Sequence, residues 1–176
     1  MKKKSLIISI LLHSLLLTTV YIFQGVIFPF MRLGGLVPLL LPVAATGIAL
    51  YEGRYVGGIS GLFAGVLCDI SFNQPAGVFT VLLTLIGLIV GTLADTVILR
   101  GFVTYYISCT VVLIIAAFVQ MFPLIVLPTY SIPAHVLLPT AIRQTIYTLI
   151  LAFPIWFFVR ALGKWTDKVS PSGRTY

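Results

Sequence analysis

The stretch GGISGLFAGVLCDISFNQPAG, Gly57 to Gly77, decides how this chain is read. Glycine recurs at 57, 61 and 65, one per helical turn, and the series runs into Asp69. Nearly everything between is apolar. Glycine weakens a helix by about 1 kcal/mol relative to alanine, and a lone carboxylate is costly in apolar surroundings. Both make sense together where helices must approach closely and a carboxylate has donors to meet.

Composition names the solvent. The chain is 60% hydrophobic and 9% charged over 176 residues, with a mean hydropathy of +1.15. A soluble domain carries about 25% charged residues, so this chain cannot cover itself with a polar surface. Lipid is what it is built for. A spanning helix needs roughly 20 apolar residues, which leaves room for about six spans and no soluble domain. Six apolar runs are present: about 5–23, 35–51, 55–72, 76–99, 102–127 and 139–162, followed by a basic tail over 163–176. The first run lacks a small-residue cleavage site after its apolar core, so it reads as a retained helix, not a signal peptide. The expected fold is all-α: one integral membrane domain over 1–176, a polytopic bundle of six transmembrane helices.

The net charge of +7 is placed at helix ends. Lys2, Lys3 and Lys4 precede the first run, and Arg160, Lys164, Lys168 and Arg174 close the last. With the N-terminus inside, nine of the eleven Lys and Arg fall on the cytoplasmic side, Arg54 and Arg100 among them; Arg32 lies in an outer loop and Arg143 in the sixth run. The positive-inside rule therefore places both termini in the cytoplasm. A nucleic-acid reading would need a basic face on a soluble module, and there is none.

The glycines form two rails. Gly57, Gly61 and Gly65 share one face of the third run, with Gly58 beside them, and Gly87 and Gly91 repeat the device in the fourth, where Asp95 continues the stripe. Small residues let membrane helices pack closely. The rails read either as packing within the bundle or as a groove that receives a partner's helix. Asp69 lies roughly 21 Å along its helix from the inner boundary, at a depth that Arg143 shares. The two read as a buried pair or as members of one polar pocket; the alternatives are a carboxylate capping a loop amide near Asn73 or reaching surface water. Asp95 with Arg100, and Glu52 with Arg54, read as interfacial charges met by water and headgroups. His13 reads as a buried neutral histidine bonded to a neighbouring helix, His135 as a loop residue.

No catalytic constellation emerges. GxxxxGK[ST], HExxH and acidic strings are missing, and Cys68 and Cys109 have no partner at metal or redox spacing. No metal, cofactor or catalytic residue is expected.

At GLFAGVLCDISFNQPAGVF, Gly61 to Phe79, the sequence resembles the MreD family of bacterial rod-shape-determining membrane proteins. Gly61, Gly65, Asp69 and Gly77 match that family's G-x-x-x-G-x-x-x-D motif and the glycine opening the next helix. The resemblance implies a non-enzymatic scaffold of the lateral wall-synthesis machinery in the inner membrane. It implies an MreC-like single-span partner, with MreB, a RodA-type polymerase and a penicillin-binding transpeptidase nearby. The partner's membrane segment is expected in an exposed groove, for which the third helix's glycine face is one candidate; the resemblance does not say which face the partner uses. The alternative is the substrate-binding S component of an energy-coupling-factor vitamin importer, also a six-helix membrane protein. Against it, the first helix lacks an AxxxA-like face and the outer loops lack polar clusters. A membrane peptidase or lipid-modifying enzyme would need a polar cluster at one depth, and only Asp69 with Arg143 offers one.

Overall fold

A computed structural model of the chain describes residues 3–26, 37–72, 77–96, 101–126 and 134–169; for 3–6, 72, 121–126, 134–138 and 164–169 the backbone alone is described. Arg32, Arg100, residues 73–76 and the last residues of the tail lie outside the described residues, as do the side chains of His135, Lys164 and Lys168. The described chain is helical: α1 Lys3–Val26, α2 Leu40–Glu52, α3 Arg54–Phe72, α4 Val78–Thr96, α5 Phe102–Val126 and α6 Ala134–Val169.

The second apolar run departs most from expectation. It forms a helix of 13 residues, about 20 Å long, against a hydrocarbon thickness of about 30 Å. All of its residues are buried, because the other five helices pack around it. α2 is therefore the core of the bundle. Its neighbours are protein on every side, so it is not a helix sized to meet lipid. Pro42 falls in its first turn, where a backbone N–H has no intrahelical partner to lose. Two of the free donors there are met from other helices. Leu39 N–H donates to Thr148 Oγ1 at 3.1 Å and Leu40 N–H to Gln24 Oε1 at 3.1 Å. Gln144 Nε2 donates to the Val37 carbonyl just ahead of the helix at 2.8 Å.

At the other end α2 stops at Gly53, whose φ of 83° lies in the left-handed region that glycine tolerates. Gly53 N–H closes back on the Ala49 carbonyl at 3.1 Å, and α3 starts at the next residue. Ser9 of α1, Glu52 of α2, Arg54 of α3 and Asp95 of α4 gather at this end, with Gly163 of α6 against Tyr51. Gln24, Leu40, Thr148 and Gln144 meet at the opposite end of α1, α2 and α6.

α5 continues past Pro123 to Val126, and α6 runs for 36 residues through Pro139 and Pro154. Proline is tolerated inside membrane helices, where neighbouring groups re-satisfy the freed backbone. The outer surface of the bundle is apolar: Leu15, Val103, Phe118, Ile150 and Phe158 are each about two-thirds exposed. Among the described residues, Ile7–Val26, Val78–Thr96, Phe102–Gln120 and Pro139–Gly163 are long and apolar enough to cross a membrane. This is a helical membrane protein.

The inside-out distribution has a measurable consequence. Ile48, fully buried in α2, and Ile150, 67% exposed on α6, carry the same side chain into different surroundings. Ile48→Ala is expected to lower stability to unfolding in detergent by about 2–4 kcal/mol, whereas Ile150→Ala loses only lipid contact and unfolds close to the wild type.

Candidate functional site

The glycine rails meet each other. Among the described residues α3 and α4 form the most extensive helix pair, running antiparallel so that Gly57 faces Gly87, Gly61 faces Leu83 and Gly65 faces Thr80. The approach is backbone to backbone. A Cβ added at Gly61 would collide with the Leu83 carbonyl oxygen, and one at Gly65 would come within 2.7 Å of the Phe79 carbonyl oxygen. Gly91 fits against the Arg54 backbone in the same way. Gly57 also touches α2, where an added Cβ would lie 2.7 Å from that of Ala49. Gly58 differs, since only the flexible end of Leu88 lies over it. The groove along Gly57–Gly65 is thus filled by the protein's own α4 and α2. A partner's helix has no room there, so of the two readings of this face the geometry takes packing within the bundle over a partner's groove.

The carboxylates follow from the same geometry. Residues four apart on a helix share a face, so the position one turn beyond each rail still points at the opposing helix. In an antiparallel pair that position lies beside the partner's N-terminus, where the first amides are unpaired and the helix dipole is positive. Asp69 follows Gly65 by four residues and Asp95 follows Gly91 by four. Asp69 Oδ2 accepts from Gly77 N–H at 3.0 Å, from Thr80 N–H at 3.1 Å and from the Thr80 hydroxyl at 2.6 Å, while Oδ1 accepts from Phe79 N–H at 2.9 Å. Asp95 Oδ2 accepts from Arg54 N–H at 3.1 Å. Each aspartate caps the helix opposite its own.

Asp69 is half-buried, and Asp95 and Arg143 are exposed, so the three do not form a buried polar group. Arg143 sits on α6, which makes no contact with α3 among the described residues. The expected pairing of Asp69 with Arg143 does not form; the amides of α4 take the carboxylate instead. Gly77 opens that capped turn with φ of 99°.

A second polar cluster was not foreseen. Glu52 is the last residue of α2 and is buried at 5% exposure, not met by water and headgroups as expected. The Ser9 hydroxyl donates to Glu52 Oε2 at 3.1 Å, and His13 Nε2 stands 3.9 Å from Oε1. His13 Nδ1 lies 2.7 Å from the Ser9 carbonyl, which places a proton on Nδ1. Ser9 and His13 are one turn apart on α1, so their spacing was the signal available in the sequence. Gln24, Gln144 and Thr148, which hold the start of α2, carried the same kind of signal: single polar residues in apolar helices. Arg54 bends over the Tyr55 ring at 4.8 Å and donates to its hydroxyl at 3.0 Å, and Arg160 stacks over Trp156 at 4.8 Å.

Cys68 and Cys109 are buried free thiols. Among the described residues no cluster of three or more His, Cys, Asp or Glu is placed to hold a metal. The polar groups hold helices together.

The family model for rod shape-determining protein MreD matches residues 3–164. The chain belongs to the MreD family. The match takes in all of α1 to α5 and most of α6, so it covers the whole bundle and not the glycine motif alone. No curated protein and no solved structure matches the chain. Membership makes this a rod-shape-determining membrane protein, and the geometry shows what the motif of this MreD-family chain does: it clamps two helices.

Removing the clamp has a defined cost. Asp69→Ala leaves the amides of Gly77, Phe79 and Thr80 without their acceptor and is expected to destabilise the protein by on the order of 3 kcal/mol, read as the unfolding midpoint in detergent. Asp69→Asn, which keeps one acceptor oxygen, falls between. The double exchange Asp69→Arg with Arg143→Asp is expected to be no more stable than Asp69→Arg alone; recovery would show that the two residues interact.

Proposed function

We propose that this MreD-family chain is a non-catalytic scaffold of the machinery that inserts wall material along the side of a rod-shaped bacterium. It lies in the cytoplasmic membrane, passes through it six times and keeps both termini inside. It binds an MreC-like single-span protein and works beside MreB, a RodA-type polymerase and a penicillin-binding transpeptidase. The family match over residues 3–164 carries this reading. Two features support it. The described carboxylates are engaged in tying helices together, which suits a rigid adaptor. The basic residues cluster at the helix ends assigned to the cytoplasm.

The partner's surface is one of the exposed apolar helix faces, since the α3 groove is filled. No observation favours the vitamin-importer reading. The decisive experiment is depletion of the chain in its host together with affinity purification of a tagged copy. Loss of rod shape with co-purification of an MreC-like protein is expected, and a reporter fused after Tyr176 should be cytoplasmic. Normal shape on depletion, or an extracytoplasmic reporter, contradicts the proposal.

A further inference from the structure

The clamp between α3 and α4 leaves Arg143 over. The amides of α4 take Asp69, and Arg143 is exposed on α6 with no hydrogen bond, ion pair or ring contact among the described residues. Its surroundings are hydrocarbon: Ile142, Ile146 and Ile150 on the same stretch of α6 are exposed apolar side chains. The apolar span of α6 begins at Pro139, so Arg143 lies about 6 Å inside that boundary at 1.5 Å per residue. A guanidinium stays charged in proteins, and a charge left unmet among lipid tails is costly.

The chain has no carboxylate to offer it. The acidic side chains are Glu52, Asp69, Asp95 and Asp167. Glu52 and Asp95 are engaged at the opposite end of the bundle, and Asp69 is engaged with α4. Asp167 belongs to α6 itself, about 36 Å further along the helix. The counter-anion comes from outside.

Direction and depth select it. Every Cα–Cβ bond of a helix tilts toward the helix N-terminus, and Arg143 lies near the N-terminal end of the α6 span. Its side chain therefore starts out toward the nearer membrane surface, across a depth that its own methylene stem can cover. Arginines near the ends of spanning helices reach the interface in this way. At that level lipid phosphates surround the protein, and the planar fork of a guanidinium matches a phosphate with two parallel hydrogen bonds. We propose that Arg143 binds the phosphate of a phospholipid headgroup in the leaflet at the N-terminal end of α6.

The test places the full chain in phosphatidylglycerol nanodiscs. Solid-state NMR then measures dipolar contact between isotope-labelled arginine guanidinium nitrogens and lipid phosphorus. Subtracting the Arg143→Gln protein isolates this guanidinium from the other arginines, and the difference is expected to show hydrogen-bond contact with phosphorus. Arg143→Gln is expected to unfold in detergent at the wild-type midpoint, because the side chain holds nothing within the chain. If it fails to fold, Arg143→Lys, which removes the guanidinium and keeps the charge, is subtracted instead. A difference without phosphorus contact overturns the proposal. The same measurement on lipid-free protein in detergent with inorganic phosphate is expected to show no contact; contact there would make the ligand free phosphate and overturn the lipid assignment. A photoreactive amino acid at Ile146 that crosslinks another polypeptide in cells, and stops doing so in Arg143→Gln, would make the anion a partner's carboxylate and also overturn it.

Discussion

Two backbones in near contact set the rest of this structure. α3 and α4 come so close that main-chain atoms of one helix occupy the space where side chains of the other would stand. In lipid there is little hydrophobic force to draw helices together, so van der Waals contact and hydrogen bonds must supply the association. Glycine allows the first. The aspartates supply the second, at the two points where an antiparallel pair leaves amides unpaired. The rail and the carboxylate that ends it are one device, used twice in opposite directions. α2 then packs against both members of the hairpin, and the remaining helices enclose it.

Much of this was legible in the sequence, and the limits have physical causes. The i, i+4 spacing of Gly57, Gly61, Gly65 and Asp69 announced a close helix contact ending in a carboxylate. Spacing along one helix cannot say which helix fills the face, so a neighbour in the bundle and an outside partner both stayed candidates. Depth matching joined Asp69 to Arg143 because it records height in the membrane and not position around the bundle. α3 and α6 stand on different sides of α2. The second run read as a full span because apolar residues look alike whether they face lipid or protein; only the ring of five neighbours distinguishes them. Glu52 was misplaced because its position beside Gly53 resembles a loop, whereas the turn there is so tight that α2 continues through Glu52 into the core.

These findings bear on how a protein of this kind serves cell shape. Its few described carboxylates are engaged in internal bonds, and its internal glycine faces are filled. What it presents outward is an apolar exterior, the surface on which the partner contact proposed above would form. In the scaffold role proposed above, helices in backbone contact and capped across the hairpin would serve to hold partners in fixed relation.

The account rests on the Gly57–Gly65 face being internal. The most direct measurement compares Gly61→Ile with Gly25→Ile, the latter at a glycine with nothing within 4 Å of its added Cβ, reading both stability in detergent and co-purification of partner proteins. Gly61→Ile is predicted to lose at least about 2–3 kcal/mol of stability by forcing the hairpin apart, with Gly25→Ile near the wild type. A Gly61→Ile protein that unfolds like the wild type yet no longer retains its partner would contradict the account, and would show the groove to be open after all.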